Sequence, residues 1–300
     1  MLPNRLKRSR IYDRAAAGLM GLLAWLSGLI VILILTGLFL KSMPILRSHS
    51  IFRLLFSSEW YPLRGQFGFL SFLAGSLWVT GTAMILAVPL CLLTAIYLAE
   101  VAPRWIRETV RPMMDVLAGI PSVVFGLWGV LTVVPWVKGM AGWFGLSTTG
   151  YCVLSAGIVL AVMISPVIIH MTVEILKAVP QDVREASLSL GATQWETIRK
   201  VVLRKAFGGI SAAIILGLSR AFGETMAVLM VAGNTARIPS GFLDPAYPLP
   251  ALVANNYGEM MSIPLYDSAM MLGCLILLGI VLVFHVLGKL VLMRIQKEIQ

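Results

Sequence analysis

VPQDVREASLSLGATQWETIRKVVLRKAF occupies residues 179–207 and is the largest polar segment between the apolar runs of this chain. Pro180 suits a first helical turn, and Asp182 and Glu185 complement the positive N-terminal end of a helix. Val183, Ala186, Ser187 and Leu190 recur at helical spacing and give a narrow face of small and apolar side chains. Gly191 stops that helix, because glycine takes the left-handed turn at a helix C-terminus without strain. Thr193-x-x-Glu196 is a capping box that starts a second helix, with Trp195, Ile198 and Val202 as its apolar stripe. The segment therefore folds as a helix–glycine–helix elbow. Its apolar surface can lie on a membrane or enter a partner's groove, and spacing alone leaves both open.

On either side of the elbow the chain is lipid-like. Of its 300 residues, 58% are hydrophobic and only 13% charged, with a mean hydropathy of +0.88; a soluble domain carries about 25% charged residues. Five stretches lack any Asp, Glu, Lys or Arg: residues 15–40, 65–99, 116–137, 139–173 and 268–288. A sixth, 206–236, is interrupted only by Arg220 and Glu224 before its end. Each exceeds the roughly 20 residues needed to cross a bilayer. The two longest must hold interfacial or loop segments at their ends, over 65–72 and 139–151. The expected fold is an all-α integral membrane bundle of six transmembrane helices. A short segment, 1–14, precedes the transmembrane domain, 15–300, and the elbow occupies about 177–207.

The net charge of +10 sits between the apolar stretches, as in membrane-flanking loops, and forms no basic face interleaved with aromatics that would suit nucleic acid. Arg5, Lys7, Arg8 and Arg10 precede the first span, whose apolar run is far longer than a signal-peptide core. It reads as an uncleaved anchor. With six spans both termini share one side, and that side receives seventeen lysines and arginines against six opposite. The positive-inside rule places the termini and the elbow in the cytoplasm.

Other chemistry is thinly represented. Cys91, Cys152 and Cys274 lie apart in apolar stretches, and His49, His170 and His285 are scattered, so no metal-ligand spacing is present. No phosphate-binding loop occurs: Gly288-Lys289 runs into Leu290 and lacks the upstream glycine. If ATP drives this protein, another chain binds it. Pro89, Pro121, Pro135 and Pro166 are expected to kink their helices, and Gly126-x-x-Gly129 permits close helix approach, as packing or as a hinge. Arg220 and Glu224 stand four residues apart in the fifth span, a spacing that puts them on one helix face within reach of an ion pair. Intramembrane charges are costly, so the pair either fixes packing or serves transport.

Glu185-Ala186-Ser187-x3-Gly191, followed after nine residues by Val201-x-Leu203, resembles the EAA loop of ABC-importer permeases. Ser187 replaces the second alanine, and Arg204 stands where that family has proline. SSEWYPLRGQFG (57–68), GIPSVVFGLWG (119–129), REASLSLGATQWETIRKVVL (184–203) and SRAFGETMAVLMVAGN (219–234) narrow the likeness to the permeases of phosphate-specific importers, C-type subunit. The resemblance implies a MetI-like permease fold that catalyses no covalent step. It implies partners: a homologous A-type permease, two copies of an ATPase holding ATP and magnesium, and an extracytoplasmic phosphate-binding protein. The implied location is the bacterial cytoplasmic (inner) membrane. Glu185, Ala186, Ser187 and Gly191 would couple to the ATPase. Arg220 would attract the anion in the path, with Glu224 holding the arginine in place. Permeases for another oxyanion or an amino acid would share the elbow. An ion-coupled transporter or channel would need no elbow, and an intramembrane protease would need a Ser/His or Asp/Asp pairing that the spans lack.

Overall fold

The structure, a computed structural model, describes residues 2–259 and 262–299. The side chains of residues 2–15, 292 and 294–299 lie outside the described part, and with them several of the basic residues counted above, such as Arg5, Lys7, Arg294 and Lys297. Among the described residues six helical runs are long and apolar enough to cross a membrane: Ala16–Ser48, Leu70–Val101, Ser122–Trp143, Val153–Lys177, Gln194–Phe222 and Tyr266–Val291. The expected number of crossings holds. The expected end segments are non-helical only in part: residues 60–67 form a small hairpin and 144–152 an irregular loop before Val153, whereas 70–72 belong to the helix Leu70–Ile96 and 139–143 to the helix Val134–Trp143.

The bundle centre is α7 (Val153–Lys177), packed most extensively against α3 (Leu70–Ile96). The two approach closely where Gly157 meets Thr82; a Cβ on that glycine would come within 2.5 Å of the threonine methyl. Small residues supply such contacts between membrane helices, where no hydrophobic drive separates protein from lipid. Around this pair α10 (Leu203–Phe222) packs on α7 and on α13 (Tyr266–Ile299). The first helix, α1 (Leu2–Ser48), packs chiefly on α13.

Two crossings are broken. The third consists of α4 (Arg104–Gly119), a break at Ile120-Pro121, α5 (Ser122–Trp128), a π-helical turn at Gly129–Val133 and α6 (Val134–Trp143). Proline forces the residue before it out of the helical region, which accounts for the break. The fifth consists of α10, a break over Gly223-Glu224-Thr225 and the short α11 (Met226–Val231). Stretches free of charge cannot reveal such breaks, so the expected spans 116–137 and 206–236 merged separate helices. In contrast, no turn occurs at Arg204: helical backbone runs from Gln194 through a π turn at Thr197–Val202 into α10.

Contacts along α7 fix the depth of both breaks. Arg111 lies 3.5 Å from Glu174 and His170 Nε2 lies 3.2 Å from Asp115, so α4 runs antiparallel to α7. Gly209 abuts Ile175 and Gly217 abuts Ile168, so α10 does the same. Extending these registers residue for residue brings Pro121 level with Ile164 and Gly223 level with Val162. Both lie within a turn of Ser165, the midpoint of α7 and roughly 18 Å from either of its ends. From there α5 and α11 run side by side toward the far side. A Cβ on Gly126 would come within 2.6 Å of Met230 Sδ, and one on Gly129 within 2.6 Å of Val159 and 2.8 Å of Val231. These glycines serve close approach.

Candidate functional site

Two features stand out: an elbow at one end of the bundle, and a charged, broken stretch at mid-depth. The elbow begins with α8 (Gln181–Ser189), for which Pro180 is the N-cap, one position before the first turn. Gly191 has φ +84°, and its N–H donates to Leu188 O (3.0 Å) while the Ala192 N–H donates to Ser187 O (3.3 Å). These are the paired bonds of a Schellman C-cap, closed by a glycine as expected. Thr193 and Glu196 form the reciprocal capping box that starts α9 (Gln194–Glu196). The apolar stripes divide. Ile198 is buried and Val202 is buried with Leu176, Val179 and Ala206, whereas Leu190 and Trp195 are 88% and 59% exposed. Glu185 and Ala186 are exposed too, and Ser187 is half-buried with its hydroxyl 2.9 Å from that of Thr197. The elbow therefore presents leucine, tryptophan and a carboxylate outward from a fixed backbone.

Its attachment involves a residue the sequence did not single out. Arg184 on α8 pairs with Glu100, which sits in a π turn at Tyr97–Val101 directly after α3. The second guanidinium nitrogen donates to Leu176 O at the end of α7 (2.7 Å). Both side chains are nearly buried, at 16% and 7% exposure. The legible signal was an isolated acid ending an apolar run; that it meets Arg184 is decided by tertiary packing.

At mid-depth, Arg220 and Glu224 do not share a helix face. Gly223 closes α10, so the i, i+4 geometry expected of a continuous helix is lost, and no ion pair joins the two residues. Each charge instead faces a helix end. Arg220 lies in the last turn of α10, where a cation offsets the partial negative charge of the terminal carbonyls. Glu224 precedes α11, and its Oε1 accepts from the Ala227 N–H (3.3 Å), satisfying a donor freed by the break. Breaking a helix inside a membrane leaves polar groups that must be met by protein or by a wet cavity. Arg220 is exposed on this chain and lies about level with Ser165, the midpoint of α7. Glu224 is half-buried beside it in sequence. Among the described residues no group of His, Cys, Asp and Glu could hold a metal ion.

Six crossings, a capped elbow and a crossing broken at mid-depth define a transporter's membrane subunit, and the chain belongs to the family described as "Binding-protein-dependent transport system inner membrane component", whose model matches residues 91–297. Within that family it is similar to the "Phosphate transport system permease protein PstC" of Xylella fastidiosa, 34% identical over 258 residues, covering 81% of this chain and 79% of that protein. The PstC of Pasteurella multocida is 35% identical over 262 residues, covering 82% and 81%. The fold is also that of the membrane chain in inward-facing conformations of the MetNI methionine ABC transporter, with 20% identity and a TM-score of 0.56 over 74% of this chain and 93% of that one.

Proposed function

We infer that this chain is the permease subunit of an ATP-driven phosphate importer, forming half of the translocation path and coupling it to a separate ATPase. The observation that carries the reading is an exposed arginine level with the middle of α7, in the last turn before a helix break, in a chain similar to PstC over four-fifths of its length. Discontinuous helices near the midplane line binding sites in transporters of several folds. Arg220 is the residue through which the path attracts an anion, and Glu224 keeps the start of α11 capped and limits how tightly an anion is held. A bare cation at that depth would trap a phosphate; a nearby carboxylate favours release.

The path is completed by an A-type permease whose surface covers the exposed face of Arg220. Two ATPase copies dock at the elbow, where Glu185, Ala186, Ser187 and Gly191 shape the contact, and they carry ATP and magnesium; this chain carries no cofactor. An extracytoplasmic phosphate-binding protein delivers the anion to the opposite side. The membrane is the bacterial cytoplasmic membrane, with both termini and the elbow in the cytoplasm, as the distribution of basic residues supports. The test is phosphate uptake by cells lacking their own high-affinity system, supplied with the partners and with or without this chain. Uptake that does not depend on the chain overturns the reading.

A further inference from the structure

We propose that Arg184 and Glu100 are positioning residues, the strut through which displacement of the elbow reaches the second crossing. The proposal rests on the elbow being the ATPase-docking surface but not on phosphate being the cargo. By chain continuity α8 is joined to α7 through Ala178, Val179 and Pro180, and to α10 through the turn at Thr197–Val202. It has no covalent link to α3. The Arg184 guanidinium provides one, non-covalently: one nitrogen on Glu100 and the other on Leu176 O hold the ends of α3 and α7 to the same side chain.

Three observations make this more than a surface contact. Both partners are nearly buried, and a buried charge pair gives way far less readily than an exposed one, since either partner alone would be left uncompensated. Glu100 Oε1 is buried with no hydrogen-bond partner, and among the described residues Arg184 is the one group paired with this carboxylate, through Oε2. Besides the Arg184 bond to Leu176 O, the side-chain hydrogen bonds of α8 to other elements reach π turns, Arg184 on Tyr97–Val101 and Ser187 on Thr197–Val202 through Thr197. A π turn holds one residue more than an α turn, closes i→i+5 hydrogen bonds, and recurs at functional sites in helices. An elbow pushed by a partner would thus pull on two such turns at once, one at the root of α10 and the other, through Arg184, at the end of α3.

Hydrogen exchange on the purified complex with its permease and ATPase partners, with and without a non-hydrolysable ATP analogue, tests this directly. In the wild type, nucleotide is expected to alter exchange in 181–189 and in 97–101. In Arg184→Met the response in 97–101 should fall by about fivefold or more, the scale of a typical coupling between sites, while that in 181–189 persists. Glu100→Gln, nearly isosteric, gives the same result if Arg184→Met fails to assemble. An undiminished response in 97–101 in an assembled variant, or no response there in the wild type, overturns the strut. An elbow silent to nucleotide overturns the docking and the strut together. Phosphate uptake measured in parallel separates the cargo: a relay seen in a complex that carries no phosphate counts against phosphate alone.

Discussion

Replacing Gly191 isolates the contribution of backbone geometry to coupling. At φ +84° the residue lies in the left-handed region, and a Cβ built there meets nothing within 4 Å. Alanine therefore adds no clash, and its penalty is conformational, about 1–2 kcal/mol. Part is returned because alanine restricts the unfolded chain, by about 0.4–1 kcal/mol. The net, about 1 kcal/mol, lowers the population of a correctly formed elbow roughly fivefold relative to any frayed form. Asparagine tolerates this conformation and should behave almost like glycine. Proline cannot: its φ is fixed near −65°, and it loses the N–H that donates to Leu188 O. The whole cap then opens, at a cost of about 3 kcal/mol or more, over a hundredfold. The assay is cargo-stimulated ATP hydrolysis by the complex, with assembly followed by copurification of the ATPase. The expected order is Gly, Asn, Ala, Pro, from coupled to uncoupled. Unchanged stimulated hydrolysis in an assembled Gly191→Pro complex would refute the reasoning.

Glu185→Lys should also uncouple hydrolysis from uptake without removing the subunit from the membrane, because it reverses an exposed charge on the elbow that also exposes Trp195 and Leu190; normal uptake per ATP would count against the elbow as the docking surface. Arg220→Gln is expected to abolish phosphate uptake while assembly is retained, and transport by an assembled variant would remove the arginine from the path. The exchange Arg220→Glu with Glu224→Arg should also be inactive, since it places a cation where Glu224 accepts from the Ala227 N–H; full uptake would show that the two residues need only balance each other. Gly217→Ala would bring a Cβ within 2.6 Å of the fully buried Ile168 side chain, so thermal melting of the complex should reveal a loss of about 1–3 kcal/mol from overpacking. A wild-type melting temperature would mean that α7 and α10 are less closely packed than described.

Hydropathy sums over some twenty residues, and at that scale the sequence is read correctly: six crossings and the elbow between the fourth and fifth. Short-range chemistry was also legible. Gly191 and the Thr193–Glu196 box act within a single turn, and no distant contact is needed to set them. Arg220 and Glu224 show the limit. Their spacing implies a shared face only while the helix continues, and Gly223 ends it. Nothing local to SRAFGETM states whether that glycine continues or closes the helix; packing of α11 on α5, through Gly126 and Gly129, favours closure. Pro121 did announce a disturbance, although not that it would lie level with the break at Gly223. Glu100 stayed hidden because its partner is eighty-four residues away.

Among the described side chains, the first crossing is held at one end only. Ser42 and Ile45 are fully buried against the hairpin end of the bundle, whereas every residue from 16 to 34 is exposed. The helical run Ala16–Ser48 is 33 residues long, about 50 Å, against a hydrocarbon core of about 30 Å. Such a rod cannot stand upright within the bilayer. It must lean, project, or both, and leaning is easiest along the stretch whose described side chains are exposed. The crossing thus behaves as a boom stepped at the hairpin side, whose sweep is limited by what surrounds it. A change of bilayer thickness would swing its elbow-side end and leave its foot in place.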